Sequence, residues 1–122
     1  MKSKNNLLLG RLGEKEAEKY LSSNNYKIIA RNFRTRNGEI DIVAQENNIL
    51  VFVEVKTRRN NKFGLPEEAI TPWKIRALIR AAQYFLLTKN KLSSSYRIDV
   101  VSIKLDENDK PEQIKLYKNI TL

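Results

Sequence analysis

The sequence predicts an α/β fold: a mixed β-sheet flanked by helices, in the order α-β-β-β-α-β-β. Three observations carry that expectation. Two apolar runs stand side by side, Gly38-Glu39-Ile40-Asp41-Ile42-Val43-Ala44 and Ile49-Leu50-Val51-Phe52-Val53-Glu54-Val55-Lys56, each of strand length and rich in β-branched residues. Thr71-Pro72 opens a helix, a capping hydroxyl followed by proline in the first turn. Helix and strand periods then alternate along the chain, which favours a layered sheet-and-helix domain.

Element by element, a first helix is expected over Asn6 to Ser22, with Leu9, Gly13, Ala17, Tyr20 and Leu21 on one face. Ser22-Ser23-Asn24-Asn25 ends it. Tyr26 to Asn32 reads as the first strand and Arg34 to Gly38 as a turn, after which the two apolar runs form strands two and three. Gln45-Glu46-Asn47-Asn48 joins them as a four-residue hairpin loop. Arg58 to Pro66 is a basic loop containing Gly64. The second helix buries Ile75, Leu78, Ile79, Ala82, Phe85 and Leu86 and ends near Lys89-Asn90. Tyr96 to Leu105 is a fourth strand, Asp106 to Pro111 a turn, and Gln113 to Leu122 a fifth strand. Residues 1–122 fit one domain with one core.

Composition narrows the chemistry. The chain has no cysteine and no histidine, so disulfides, thiol nucleophiles, Cys/His zinc sites and imidazole bases are excluded. Any metal must be a hard cation held by oxygen. The formal net charge of +9 is spread from Lys2 to Lys118 among acids, which suits a folded binder of a polyanion. The opening Leu7-Leu8-Leu9 is too short for a signal-peptide core, and no run approaches membrane-spanning length, so a cytoplasmic protein with no membrane association is expected.

Charge in the middle of apolar strands demands a reason, because an unpaired buried charge is costly. Side chains alternate faces along a strand, so Glu54 shares a face with Lys56 and Phe52, and Asp41 with Glu39 and Val43. With all four loop residues unpaired, Ala44 stands opposite Ile49, Asp41 opposite Phe52 and Glu39 opposite Glu54. Asp41 and Glu54 then lie diagonally, about 7–8 Å apart, on one face. A loop longer or shorter by one residue sends them to opposite faces. Two carboxylates this close repel unless a cation neutralises them. A Mg²⁺ (or Mn²⁺) site acting on phosphate follows, with a structural ion pair through Lys56 as the competing reading.

Glu14 lies at the edge of the first helix's buried face. It either reaches the metal or pairs with Arg11 in solvent, and periodicity alone favours the second. Glu39 is a ligand, a supporting acid, or a partner of Arg34 or Arg36; support is the favoured role. Arg31, Arg34, Arg36, Arg58, Arg59, Lys62, Lys74, Arg76 and Arg80 are the expected nucleic-acid-binding residues, gripping phosphates without reading sequence. Phe63 and Trp73 are candidates for base stacking, although a packing role is favoured for Trp73.

The wider string is more specific than any of its parts. Gly10-x-x-Gly13-Glu14-x-x-Ala17, Tyr20-Leu21, Arg31-Asn32-Phe33-Arg34, Gly38-Glu39-Ile40-Asp41-Ile42-Val43-Ala44, Phe52-Val53-Glu54-Val55-Lys56-Thr57-Arg58 and Arg97-Ile98-Asp99-Val100-Val101 together resemble the YraN family of small bacterial proteins over nearly the whole chain. Asp41 followed by Glu54-x-Lys56 resembles the PD-(D/E)XK nuclease superfamily, with Ile40 in place of the proline. The order of a helical glutamate, a strand aspartate and Glu-x-Lys is also similar to the archaeal Holliday-junction resolvases.

The resemblance implies a restriction-endonuclease-like core, with Glu14, Asp41, Glu54 and Lys56 as the catalytic set. It implies metal ligation by Asp41 and Glu54, aided by the Val55 carbonyl and Glu14. The expected function is a magnesium-dependent, structure-selective nuclease, acting on DNA in repair or recombination. The alternative is a non-catalytic nucleic-acid-binding adaptor to a larger machine that keeps the nuclease fold. A two-fold homodimer would suit a symmetric junction.

Overall fold

A computed structural model describes residues 4–36, 38–59, 70–91 and 94–121. The elements run α1 (Lys4–Ser23), β1 (Lys27–Thr35), β2 (Gly38–Glu46), β3 (Ile49–Arg58), α2 (Pro72–Thr88), β4 (Tyr96–Leu105) and β5 (Pro111–Tyr117). This is the α-β-β-β-α-β-β order expected from the sequence, and the five strands form one mixed sheet, β1-β2-β3-β4-β5. Neighbours are antiparallel except β3 and β4, which are parallel. A parallel pair needs a long crossover, and α2 lies within it.

The two helices cover opposite faces of the sheet. Ala17 and Leu21 of α1 are fully buried against Ile42, Ala44, Val51, Val53, Val101 and Ile103. Leu78, Ala81, Ala82, Phe85 and Leu86 of α2 pack on Ile40, Val43, Leu50, Phe52 and Ile98. Ala81 joins the expected stripe, while Ile75 and Ile79 are half-buried. Thr71 caps α2 as anticipated, its side chain accepting from Lys74 N–H at 3.2 Å, with Pro72 in the first turn.

The hairpin between β2 and β3 differs from the sequence expectation. Gln45 pairs with Leu50 and Glu46 with Ile49, so the connection is two residues long, Asn47-Asn48, rather than four. Asn47 adopts a left-handed conformation (φ 55°), which asparagine tolerates. Glu46 is drawn into the strand by ion pairs to Arg97 and Lys118. Val43, not Asp41, therefore stands opposite Phe52. The error is two residues, an even number, so by itself it does not exchange the faces of the ladder. β5 also ends at Tyr117 rather than at the C-terminus, because the next residues turn back on β4: Ile120 N–H donates to Ile98 C=O at 2.9 Å.

The Arg97-Ile98-Asp99 string, read only as part of a resemblance, has a structural role. Asp99 is fully buried, and its carboxylate accepts from Tyr26 Oη (3.1 Å), Arg97 Nε (3.0 Å) and Asn119 N–H (3.0 Å). One carboxylate thus ties β4 to the α1–β1 connection and to the segment after β5. Burial raises the Tyr26 hydroxyl pKa, with the nearby Asp99 charge adding to it. Removing Asp99 takes away the buried partner of Arg97 and leaves it Glu46, a loss of up to about 3–5 kcal/mol for such pairs. Asp99→Ala is expected to lower the unfolding free energy by an amount of that order, read in urea as a lower midpoint with the slope of the transition unchanged.

Candidate functional site

The paired ladder of β2 and β3 ends at Ile42 and Val53, and the next residues along each strand are Asp41 and Glu54. Instead of another rung, Val55 N–H donates to Asp41 Oδ2 at 2.8 Å. The backbone of β2 changes face here. Ile42 belongs to the core under α1 and Ile40 to the core under α2, although strict alternation would keep them on one side. β1 makes the same change, with Arg31 opposite Ile42, Phe33 opposite Ile40, and Asn32 between them in a left-handed conformation (φ 51°).

The outcome is a fork between two strands, and a cleft of about 310 Å³ opens in it. Glu14 from α1, Glu39 and Asp41 from β2, Glu54 to Arg58 from β3, and Lys74 from α2 all line it. Helices on opposite faces of the sheet reach one cleft because the sheet is parted there. This brings together all four residues of the expected catalytic set, together with Val55.

Gly13 is what lets α1 come close enough. A β-carbon at this position would stand 1.8 Å from Thr57 Oγ1, so helix and strand touch where only hydrogen fits. Glu14, the next residue, is thereby delivered to the cleft. With the Asn32 amide oriented to satisfy both of its ends, its nitrogen donates to Glu39 Oε1 (3.0 Å) and Glu14 Oε1 (3.1 Å). Asn32 had been quoted in the sequence string without a role. Its signal was an asparagine inside a strand, a residue depleted there unless the backbone needs a special conformation.

Glu54 is only 3% exposed and is flanked by two ammonium groups. Lys56 Nζ lies 3.7 Å and Lys74 Nζ 3.2 Å from Glu54 Oε2. Lys74, expected only as a phosphate grip, is thus a member of the acidic centre. Asp41 has its pKa pushed up to about 9, first by burial, then by the charge of Glu54 and a hydrogen bond to it. Among the described residues no three acids gather tightly enough to close on one ion in this arrangement. The acids stand instead as the Asp41–Glu54 pair and as Glu14 with Glu39, bridged by Asn32.

The donor set fits a hard divalent cation. It is all oxygen, its central pair repels, and Thr57 Oγ1 on the cleft wall is buried without a hydrogen-bond partner among the described residues.

The expected phosphate-binding residues are dispersed in their surroundings. Arg34, Arg58 and Lys74 line the cleft or the adjoining hollow. Arg36, Arg76 and Arg80 are exposed. Arg31 is held by Glu18 through two hydrogen bonds of 2.8 and 2.7 Å, and Arg59 pairs with Asp109 at 2.8 Å. Lys62 and Phe63 lie outside the described residues. Trp73, for which packing was favoured, is 67% exposed.

Two outcomes are expected. Gly13→Ala should destabilise the fold by about 1–3 kcal/mol, the usual cost of overpacking, and Thr57→Ala in the same chain should recover part of it in thermal melts. The second concerns pH. The unfolded chain releases the Asp41 proton near pH 4, whereas the folded chain keeps it to about 9. The unfolded state therefore binds fewer protons across that window, and this group's contribution to stability falls as pH rises. Asp41→Asn should flatten that decline, giving a higher urea midpoint than wild type at pH 8 in chelator and little difference at pH 4.

Sequence comparison agrees with the strings read above. The profile described as Uncharacterised protein family UPF0102 matches residues 13–103. A UPF0102 protein of Caldicellulosiruptor saccharolyticus is 47% identical over 111 residues, covering 91% of this chain and 94% of its own. One from Geobacter sulfurreducens is 47% identical over 109 residues, 89% of this chain and 85% of its own. One from Lachnoclostridium phytofermentans is 52% identical over 108 residues, 87% and 86% respectively. With the matched span running from Gly13 through the acid pair to Ile103, this chain belongs to the UPF0102 (YraN) family.

Proposed function

We propose that this protein is a magnesium-dependent, structure-selective nuclease acting on nucleic acid, DNA in the first instance. The observation that supports it best is the Asp41–Glu54 pair: two carboxylates, one of them nearly buried, face each other in a cleft rimmed by ammonium and guanidinium groups. A protein that only bound phosphates would gain nothing from acids at the centre of its basic surface.

Asp41 and Glu54 would hold the cation, with the Val55 carbonyl and Glu14 beside them. When bound, Mg²⁺ supplies positive charge that polarises the scissile phosphate and makes water a stronger nucleophile. The rest is done by the chain. Val55 N–H fixes the orientation of Asp41. Asn32 holds Glu14 and Glu39 in place. Lys56, a compact point charge, orients the attacking water or steadies charge on the phosphate. Burial disfavours the charged form of Asp41, which would have to be ionised to hold a cation, so affinity for the cation would rise with pH. Arg34, Arg58, Arg76 and Arg80 would position the backbone, which favours selection by shape over sequence.

The test is cleavage. Branched, flapped, single-stranded and duplex DNA, and RNA, are incubated with the protein in Mg²⁺ or Mn²⁺. Wild type should cut, while Asp41→Ala and Glu54→Ala fall to background and still bind. Equal inertness of all three, with binding intact, would leave the adaptor reading standing.

A further inference from the structure

The solvent side of α2 is composed unlike an ordinary helix surface. Trp73, Arg76, Arg80 and Tyr84 are spaced three, four and four residues apart, which puts them along one side of the helix. Trp73 is 67% and Tyr84 51% exposed, and both arginines are exposed. The helix Pro72–Thr88 carries Lys74, Arg76 and Arg80 and no acid at all. Two large aromatic rings left in water, with guanidinium groups between them on a helix that carries no acid, form a surface shaped for a ligand that is flat, apolar and anionic at intervals.

The stripe starts one residue before Lys74, which lines the cleft. Thr71 and Pro72 fix the first turn, and Lys74, the residue after Trp73 in the chain, reaches Glu54 at 3.2 Å. Tyr84 is steadied by Phe33, with ring centroids 6.2 Å apart. From Trp73 to Tyr84 the stripe runs about 16 Å at 1.5 Å per residue. A second copy of the chain is a poor occupant, because two α2 helices packed about a two-fold axis would set the arginines of one copy against those of the other.

We propose that this face of α2 is the track for an unpaired nucleic-acid strand leaving the cleft, with Trp73 stacked on the first unpaired base beside the acids. The inference rests on the nucleic-acid reading of the cleft and narrows it to substrates with an unpaired segment. In a duplex each base is already stacked on its neighbours; only a splayed or single-stranded base has a face to offer an indole. Arg76 and Arg80 take the phosphates between the two rings.

Trp73 is the only tryptophan in the 122 residues, so the protein's tryptophan emission reports this position alone. The full chain is titrated in chelator with dye-labelled single-stranded oligothymidylate and with a duplex of equal length. Dye anisotropy reports binding and tryptophan emission reports stacking. The single strand should quench Trp73. Trp73→Ala should weaken single-strand binding about tenfold, as loss of one stacked base does, and leave duplex binding nearly unchanged. Trp73→Phe should restore most of the affinity. Oligonucleotide binding with steady emission, unaffected by Trp73→Ala, overturns the track and leaves the cleft reading intact. Emission that responds to a partner protein but not to nucleic acid has the same force. Silence in anisotropy with every nucleic acid removes both the track and the cleft reading on which it rests.

Discussion

The hydrogen bond from Val55 N–H to Asp41 Oδ2 stands where the β2–β3 ladder gives way. A side-chain carboxylate takes a donor that a sheet would give to a backbone carbonyl, so β3 stays satisfied while β2 diverges. Divergence parts the sheet, and the parted sheet is what allows α1 and α2, on opposite faces, to contribute Glu14 and Lys74 to a common cleft. The left-handed backbone of Asn32 makes the neighbouring strand follow. One interaction thus reconciles two demands that oppose each other: a continuous hydrophobic sheet, and an acidic centre inside it.

Electrostatics sets the character of that centre. Burial and mutual repulsion disfavour the charged form of Asp41, and Glu54 is balanced by Lys56 and Lys74. Such a cluster contributes little to folding by itself, since desolvation offsets much of the attraction between buried ions. The polar network around Asp99 is the contrast. Its carboxylate oxygens are saturated by Tyr26, Arg97 and Asn119, and nothing in it invites a ligand.

Much of this was legible in the chain. Asp41 and Glu54 announced themselves as charges inside apolar strands, but the pleat could not place Asp41, because the register was off by two residues and β2 changes face between Ile40 and Ile42. Turn length was not legible because Gln45 and Glu46 look like loop residues; what makes Glu46 a strand residue is Arg97, fifty-one positions away. Periodicity left Glu14 in solvent because it measures only angle around a helix. How near the helix stands depends on the contact between Gly13 and Thr57, which is tertiary. Lys74 was read only as a phosphate contact on the second helix for the same reason. Asn32 left its mark, a turn-former inside a strand, but the partners that explain it come from α1 and β2.

Gly13 has a consequence for how relatives of this chain are to be interpreted. The missing side chain is required by close packing and, independently, by the reach of the neighbouring carboxylate. A position constrained twice would stay invariant even in a descendant that had lost its chemistry, since the fold alone forbids drift. Persistence of that glycine therefore carries no information about whether a given homologue still works as a catalyst. At Asn32 the two demands can be told apart: glycine would keep the left-handed backbone and lose the amide that bridges two acids, so that exchange is the more telling sign of evolutionary decay.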